Sequence, residues 1–200
     1  MGDESAGGKR IRFERGERFD HPEFETVSDR DAASEVQMMN EKEFLAFLNA
    51  NGFVYERVEH PAVFTCVESE LHRPAVPAVS TKNLFLCDKK ARRFFLAVTA
   101  CEKTVKLDSL AKQLGIVNVR FASEENLARL LGVTRGSVTM MGLANDLEHV
   151  VELWIDAEIW QGEYFLSHPL VNTATLILAK PELERFFALT GHALHIFEGA

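Results

Sequence analysis

The chain has 200 residues, of which 46% are apolar and 26% are charged, and its formal net charge is −8. A chain of this length and composition fits one globular domain, alone or with a tail, and is neither collagen-like nor disordered throughout. The excess of acidic residues argues against broad, nonspecific binding to nucleic acid, while it leaves room for a local basic patch.

The sequence favours a protein of the cytoplasm. It has no run of uncharged apolar residues long enough to span a membrane, and its charged N-terminus lacks the apolar core of a signal peptide. The cysteines Cys66, Cys87 and Cys101 are too few and too scattered for a disulfide framework or a CxxC zinc site. We therefore expect a reducing cytosol, no membrane partner, and neither a metal nor a cofactor.

Residues 1–36 differ from the rest of the chain. They are rich in charge, and their sparse apolar residues follow neither a helical nor a strand period. This pattern predicts a flexible N-terminal extension, which places the folded domain at residues 37–200. An arm folded onto the domain is the alternative, and Phe13, Phe19 and Phe24 would be the residues that dock it.

The first half of the domain predicts two helices and three strands. Asn40 and Glu43 form a capping-box pattern ahead of an apolar helical face. Alternating residues then predict a strand, and two apolar runs around a polar turn predict a hairpin. The expected elements are a helix between Asn40 and Gly52, a strand at 53–59, a short helix at 67–72 and hairpin strands at 81–87 and 93–99.

The second half adds helices and strands without a regular βαβ repeat. Asp108 and Ser123 are the expected N-caps of two helices, which Gly115 and Gly132 end. Pro181 suits the first turn of a last helix. Further strands are expected at 149–155 and 173–179, with a short last strand at 192–197. We therefore predict an α/β domain with a mixed sheet.

Lys82 is the first candidate for chemistry. In a strand it shares one face with two leucines, while Asn83 shares the other face with a phenylalanine and a cysteine. Both faces are therefore expected to be covered. Because burying an unpaired ammonium is costly, Lys82 must point into a cleft or find a partner. The alternative places Lys82 at the end of the strand, where it reaches solvent.

Two segments of the sequence share the same pattern. His60 and His168 each precede a proline and, five positions on, a threonine, Thr65 or Thr173. A proline keeps the preceding residue out of helical conformation, so both segments predict bends beside strands, where they aim polar groups at a pocket. The alternative is a coincidence between two ordinary turns.

Two further segments are candidates for binding. The loop at 136–142 (GSVTMMG) could present backbone N–H groups to an oxyanion or a ribose, although a plain turn is the commoner explanation for such a loop taken alone. The hairpin residues Lys89, Lys90, Arg92 and Arg93 could meet a phosphate backbone, with a solvated turn as the alternative. The sequence has no GxSxG, no HExxH and no Cys/His signature of nucleophilic catalysis.

The order of four motifs resembles the YbaK/ProX family of aminoacyl-tRNA editing proteins. Those motifs are HPAVFT, TKNLFLCDKK with RRFFLAV, LGVTRGSVTMMGL and HPLVNTATL. Within the family the chain is most similar to the free-standing prolyl-tRNA editing proteins of the PrdX type, over residues 38–198. The resemblance implies a single α/β domain with a mixed sheet, flanking helices and a substrate cleft.

The resemblance also implies a reaction and its residues. The implied reaction is hydrolysis of the ester between a mischarged amino acid and the terminal adenosine of tRNA, with Ala-tRNA(Pro) as the expected substrate. The acceptor end of tRNA and prolyl-tRNA synthetase are the implied partners, and DNA is not one. Lys82 is the implied catalytic residue. The implied substrate-binding residues are Thr65, Asn83, Gly136, Ser137, Val138, Met140, His168, Asn172 and Thr173.

The chain departs from the family pattern in its glycine loop. Met140 stands where the family usually has a proline, and Arg135 stands where a proline often precedes the glycine. Two backbone restraints are therefore missing, and we expect Met140, Met141 and His168 to form the walls of a reshaped pocket.

Lys82 has two possible roles in the implied reaction. It would stabilise negative charge on the ester carbonyl oxygen or anchor the terminal phosphate. Three alternative functions remain at this point. The chain could deacylate tRNA charged with cysteine, serine or threonine, bind tRNA or a synthetase without catalysis, or bind a small ligand.

Overall fold

The structure, a computed structural model, describes residues 37–199, and the predicted extension at 1–36 lies outside them. Helix α1 (Glu41–Ala50) begins at the predicted capping box. The Asn40 side chain accepts the Glu43 N–H at 3.1 Å, and the Glu43 carboxylate accepts the Asn40 N–H at 2.8 Å. Phe44 and Leu48 then bury the apolar face of the helix.

Eight strands form one mixed sheet within the described residues. They are β1 (Tyr55–Glu59), β2 (Val79–Asp88), β3 (Phe94–Ala100), β4 (Val119–Phe121), β5 (Val151–Asp156), β6 (Tyr164–Ser167), β7 (Ala174–Ala179) and β8 (Leu194–Phe197). The order is β1-β7-β6-β2-β3-β5-β8, and β4 pairs with β2. Parallel pairs join β2 to β6, β3 to β5 and β5 to β8. The remaining pairs are antiparallel, including the predicted β2–β3 hairpin, so the mixed sheet is confirmed.

Helices flank this sheet as predicted, with one wrong cap. The helices after α1 are α2 (Cys66–Leu71), α3 (Leu107–Gln113), α4 (Glu124–Leu131) and α5 (Lys180–Leu189), with 3₁₀ helices at Met140–Asn145 and Ile159–Gln161. Ser123 caps α4 as predicted, but Asp108 lies in the first turn of α3, whose N-cap is Lys106. Within residues 37–199 no helix has both the length and the apolar character needed to cross a bilayer.

Strand β2 is covered on both faces, as its sequence predicts. Phe85 and Cys87 belong to the larger core, which also contains Phe44, while Leu86 belongs to a second core with Leu110 of α3. The two cores fix β2 between them, so its polar N-terminal part has a defined position at the edge of the packed region.

The cysteines are the clearest departure from the sequence analysis. Cys66 and Cys101 form a disulfide with a Cα–Cα distance of 5.7 Å, and Cys87 is free and buried. The two cysteines are 35 residues apart in sequence, so no local motif predicts that they form a disulfide. The β2–β3 hairpin folds back on itself and returns Cys101 to the start of α2, so two cysteines that are too scattered in sequence to predict a disulfide framework form a single disulfide in the fold.

Candidate active site

A cleft opens where the N-terminal part of β2 meets the end of β6. It contains about 310 Å³ of empty space, part of it open to solvent. The residues that line it are Ser69, Ser80, Thr81, Asn83, Leu166, Ser167, His168 and Thr175. Seven of these eight side chains are polar, so the cleft suits a small polar ligand rather than a large apolar one.

Asn83 lines this cleft and carries an unpaired acceptor. Its Oδ1 is buried and has no hydrogen-bond partner among the described residues. Neighbouring hydroxyls are paired, since Thr81 donates to the Leu166 carbonyl at 2.9 Å and Ser80 donates to Glu70 at 2.6 Å. A buried acceptor without a donor is costly, and a ligand with an N–H or O–H group would remove that cost.

His168 is an uncharged imidazole in the wall of the cleft. Burial lowers the pKa of His168 below its ordinary value, and the nearby His60 lowers it further. A hydrogen bond to the Ala174 carbonyl acts in the opposite direction but does not cancel the effect of burial. The Nδ1 atom lies 2.9 Å from that carbonyl oxygen, which can only accept. The proton therefore resides on Nδ1, and Nε2 is left as an acceptor.

The two His-Pro segments lie side by side. The His60 and His168 rings are 6.1 Å apart between centroids, and the His60 N–H donates to the Thr173 carbonyl at 3.0 Å. Val63 and Asn172 exchange hydrogen bonds, with the Asn172 side chain donating to the Val63 carbonyl at 3.0 Å. Asn172 and Thr173 thus join the segments and do not line the cleft.

His60 itself reaches the cleft through Thr175. Its Nδ1 lies 2.8 Å from the Pro61 carbonyl, so Nδ1 carries the proton and Nε2 accepts from the Thr175 hydroxyl at 3.0 Å. Thr175 lines the cleft, and the sequence carries no signal for it beyond its place in the predicted strand at 173–179.

Lys82 lies beside the cleft but on the opposite face of β2 from Asn83. Its ammonium donates to the Lys103 carbonyl, in the turn that follows β3. The sequence predicts that this lysine points into a cleft or finds a partner, and the Lys103 carbonyl is that partner. Because the partner is a neutral carbonyl, the positive charge of Lys82 stays available for an anion at the edge of the cleft.

A buried carboxylate holds that turn in place. Asp156 accepts from the Lys103 ammonium at 2.6 Å and from the Thr99 hydroxyl at 3.0 Å. Burial alone would raise the pKa of Asp156, but these hydrogen bonds and that of the Glu158 N–H outweigh it, and the pKa lies below its ordinary value. The pKa of Lys103 is raised by the same contact.

The Asp156→Ala substitution is expected to lower the free energy of unfolding by about 3 kcal/mol, because it leaves a partly buried ammonium without its buried partner. Glu158→Ala is the matched control, since Glu158 pairs with the same ammonium at 3.1 Å but is 73% exposed. Its removal is expected to cost less than about 1 kcal/mol. Urea unfolding of both variants at neutral pH measures the difference, and equal losses would contradict the structural role given to Asp156.

The glycine loop lies against the segment before α2. Gly136 has φ +86°, a left-handed conformation that favours glycine, and a Cβ placed there would lie 2.9 Å from the exposed Phe64 ring, which would have to shift. The Ser137 N–H donates to the Thr134 carbonyl at 3.0 Å, which commits it to the turn. Among the described residues the N–H groups of Gly136 and Val138 have no such partner and remain the donors that the loop can offer.

Three predicted site residues have structural positions instead. Met140 and Met141 are fully buried in the larger core, because the 3₁₀ helix that starts at Met140 packs inward. They are therefore not walls of the cleft, and that expectation was wrong. Thr65 caps α2 by accepting the Glu68 N–H at 3.2 Å, and Ser69, one turn further on, lines the cleft in its place.

The basic hairpin lies at the other end of β2. Lys89 and Lys90 are exposed, about 20 Å along the strand from Asn83. Arg92 is exposed beside Asp88, whereas Arg93 is paired with Glu152 at 2.7 Å. The hairpin and the cleft are thus separate basic and polar features of the same strand.

Comparison with known proteins settles the family. The model of the aminoacyl-tRNA editing domain matches residues 60–186, which is more than half of the chain. The chain belongs to the family of aminoacyl-tRNA editing domains. This family hydrolyses mischarged aminoacyl-tRNA, so the chain is an editing hydrolase whose substrate is mischarged tRNA.

Individual editing-domain relatives agree with this assignment. The prolyl-tRNA synthetase associated domain-containing protein 1 of Danio rerio is 36% identical over 170 residues, covering 84% of this chain and 92% of that protein. The prolyl-tRNA editing protein ProX of Acetoanaerobium sticklandii is 31% identical over 144 residues, covering 72% and 88%. A proposed trans-editing enzyme for prolyl-tRNA synthetase has the same fold, with a TM-score of 0.61 at 17% identity over 82% of this chain and 100% of that chain.

Proposed function

We propose that this editing domain removes alanine from mischarged tRNA(Pro). The names of its relatives connect them to prolyl-tRNA synthetase and to prolyl-tRNA editing. A synthetase pocket built for proline rejects the smaller alanine poorly, because lost apolar contact is worth only about 1–3 kcal/mol. A separate hydrolase for the alanyl ester corrects that error.

The observation that carries the proposal is the unpaired oxygen of Asn83. An aminoacyl ester presents an α-ammonium group and, on the terminal ribose, a hydroxyl, and either group donates to a buried amide oxygen. Binding there brings the ester next to His168, which lines the same cleft and has an unprotonated Nε2. That nitrogen orients a water or the ribose hydroxyl toward the carbonyl carbon.

Positioning supplies most of the acceleration in this reaction. An aminoacyl ester is already activated, so one water held near its carbonyl is sufficient and no covalent intermediate is required. The N–H groups of Gly136 and Val138, which have no partner among the described residues, are the donors for the developing oxyanion. Lys82 anchors the terminal phosphate, since its ammonium lies on the face of β2 away from Asn83.

The selectivity for alanine follows from the walls of the cleft. Leu166 is the one apolar side chain among the residues that line it, and the rest are small hydroxyls, Asn83 and His168. A methyl group meets Leu166 at little cost. The proline ring would displace hydrogen-bonded hydroxyls without replacing their bonds, and it is excluded for that reason.

The basic hairpin completes the proposed contact with tRNA. Lys89, Lys90 and Arg92 lie about 20 Å from the cleft along β2, a distance that suits phosphates of the acceptor stem rather than its terminal nucleotide. Prolyl-tRNA synthetase is the proposed protein partner, because it is the source of the mischarged substrate.

The test is a panel of esters on purified tRNA. We expect rapid hydrolysis of Ala-tRNA(Pro) and at most slow hydrolysis of Pro-tRNA(Pro), with Asn83→Ala about 100-fold slower on the alanyl ester. Because the cleft is rich in hydroxyl groups, tRNA charged with serine is the strongest competing substrate, followed by tRNA charged with cysteine or threonine. Faster hydrolysis of a competitor would overturn alanine as the substrate. Binding of tRNA with no hydrolysis of any ester would overturn the proposed function altogether.

A further inference from the structure

We propose that Cys66 and Cys101 are a reversible thiol–disulfide pair that controls the substrate cleft. Where it concerns activity, the inference rests on the proposed function. The disulfide joins the first residue of α2 to the first residue after β3. Disulfides that form inside cells are usually transient and sense redox state, which fits a pair placed beside a site better than one placed in a core.

Both ends of the disulfide adjoin the cleft. Cys66 begins the helix that carries Ser69, and the Cys101 N–H donates at 3.2 Å to the carbonyl of Ser80. Ser69 and Ser80 both line the cleft. Cys101 also lies two residues before Lys103, whose carbonyl accepts the Lys82 ammonium. The covalent link therefore connects α2 with the turn that holds the candidate catalytic lysine.

Packing alone holds α2 weakly. The helix has no buried residue, and its neighbourhood exposes Phe64 (67%), Val67 (76%) and Leu71 (78%). Its noncovalent ties are polar, among them the bond from Ser80 to Glu70 at 2.6 Å. An element with few buried contacts opens at low cost, so loss of the disulfide frees α2 and displaces Ser69 from the cleft.

The exchange between the reduced and oxidised protein requires only a small thiol, such as glutathione, and its disulfide. A glutathione thiolate attacks the sulfur of Cys66, the less buried of the two residues, and forms a mixed disulfide while Cys101 leaves as a thiolate. A second glutathione attacks the mixed disulfide, which releases Cys66 as a thiol and one oxidised glutathione. Oxidation runs the same two exchanges in reverse, and the Cα–Cα distance of 5.7 Å lets the pair close again.

The experiment equilibrates the full chain in reduced and oxidised glutathione and measures three properties. Alkylation followed by mass spectrometry counts free thiols, hydrogen exchange reports on residues 65–72, and Ala-tRNA(Pro) deacylation gives kcat and KM. In the reduced protein we expect two additional alkylated thiols, faster exchange in α2 and a KM about three- to tenfold higher, because α2 must be ordered on binding. All three changes reverse on oxidation.

Two variants serve as controls. Cys66→Ser is expected to behave as the reduced protein in either buffer, whereas Cys87→Ser, which removes the free cysteine, keeps the full response. Cys101→Ser removes the other half of the disulfide and is expected to behave as Cys66→Ser does. Failure of the thiols to pair, or equal hydrogen exchange in α2 in both states, would overturn the inference even if no ester were hydrolysed. Equal KM values in an active enzyme would overturn control of the cleft.

Discussion

Replacing Lys82 by alanine is expected to lower kcat/KM for Ala-tRNA(Pro) about 100-fold, with most of the loss in KM. A hydrogen bond to a charged group contributes about 1.5–3 kcal/mol, and a 100-fold loss corresponds to about 2.7 kcal/mol. The position of Lys82 explains why the expected loss in kcat/KM should come mainly from a higher KM. The Lys82 ammonium lies on the face of β2 opposite Asn83, beside the cleft and not in it.

A phosphate contact has two signatures that separate it from a contact with the ester. It strengthens substrate and transition state equally, so its loss raises KM and leaves kcat nearly unchanged. It also weakens with salt, so the difference between wild type and Lys82→Ala should shrink as salt is added. Steady-state kinetics at two salt concentrations measure both signatures.

Lys112→Ala is the matched control for this experiment, because Lys112 is exposed in the last turn of α3. We expect its kinetics to match those of the wild type. A kcat that falls 100-fold at constant KM would instead place Lys82 at the ester carbonyl, which is the other role considered from the sequence. Unchanged kinetics in Lys82→Ala would exclude both roles.

Local signals explain why most of the fold was predictable. The capping residues Asn40 and Ser123 and the left-handed Gly132 act within a few residues of sequence, and each marks a helix end where predicted. The β2–β3 hairpin was equally clear from its apolar runs. Strands β4 and β6 were missed because they have three and four residues, and their position depends on pairing with β2 and β7.

The candidate site was predictable only where one residue carries a distinctive chemistry. Asn83 and His168 were identified and lie in the cleft, but the hydroxyls of Ser80, Thr81 and Thr175 were not. Serine and threonine are common in strands, and nothing local shows that β6 and β2 meet beside them. The burial of Met140 has the same origin, since only the packing of its 3₁₀ helix decides which way the side chain points.

The largest expected loss of stability comes from Asp146, which is not among the residues that line the cleft. Its carboxylate accepts from His192 Nε2 at 3.1 Å and from the N–H groups of Val151 at 2.7 Å and Val150 at 3.1 Å. The Asp146 and His192 side chains are each 1% exposed. Asp146→Ala is expected to lower the free energy of unfolding by about 3–5 kcal/mol, because two buried donors, His192 and Val151, and the part-buried Val150 N–H lose their acceptor together.

The pH dependence of this stabilisation has a defined sign. Burial alone would raise the pKa of Asp146, but the hydrogen bonds from His192, Val151 and Val150 outweigh it and hold the pKa below its ordinary value. The unfolded chain therefore takes up the proton first as pH falls. The stabilisation is fully present above about pH 4 and is lost as pH falls through the lower pKa of the folded state.

Urea unfolding at descending pH tests both statements about Asp146. Glu148→Ala is the matched control, since Glu148 is an exposed carboxylate two residues away, and its loss should change the free energy of unfolding by less than about 0.5 kcal/mol. The gap between wild type and Asp146→Ala should be constant from pH 7 to about pH 5 and narrow below about pH 4. A gap that widens at low pH would mean that the folded protein binds the proton more tightly than the unfolded chain, which contradicts the geometry of this carboxylate.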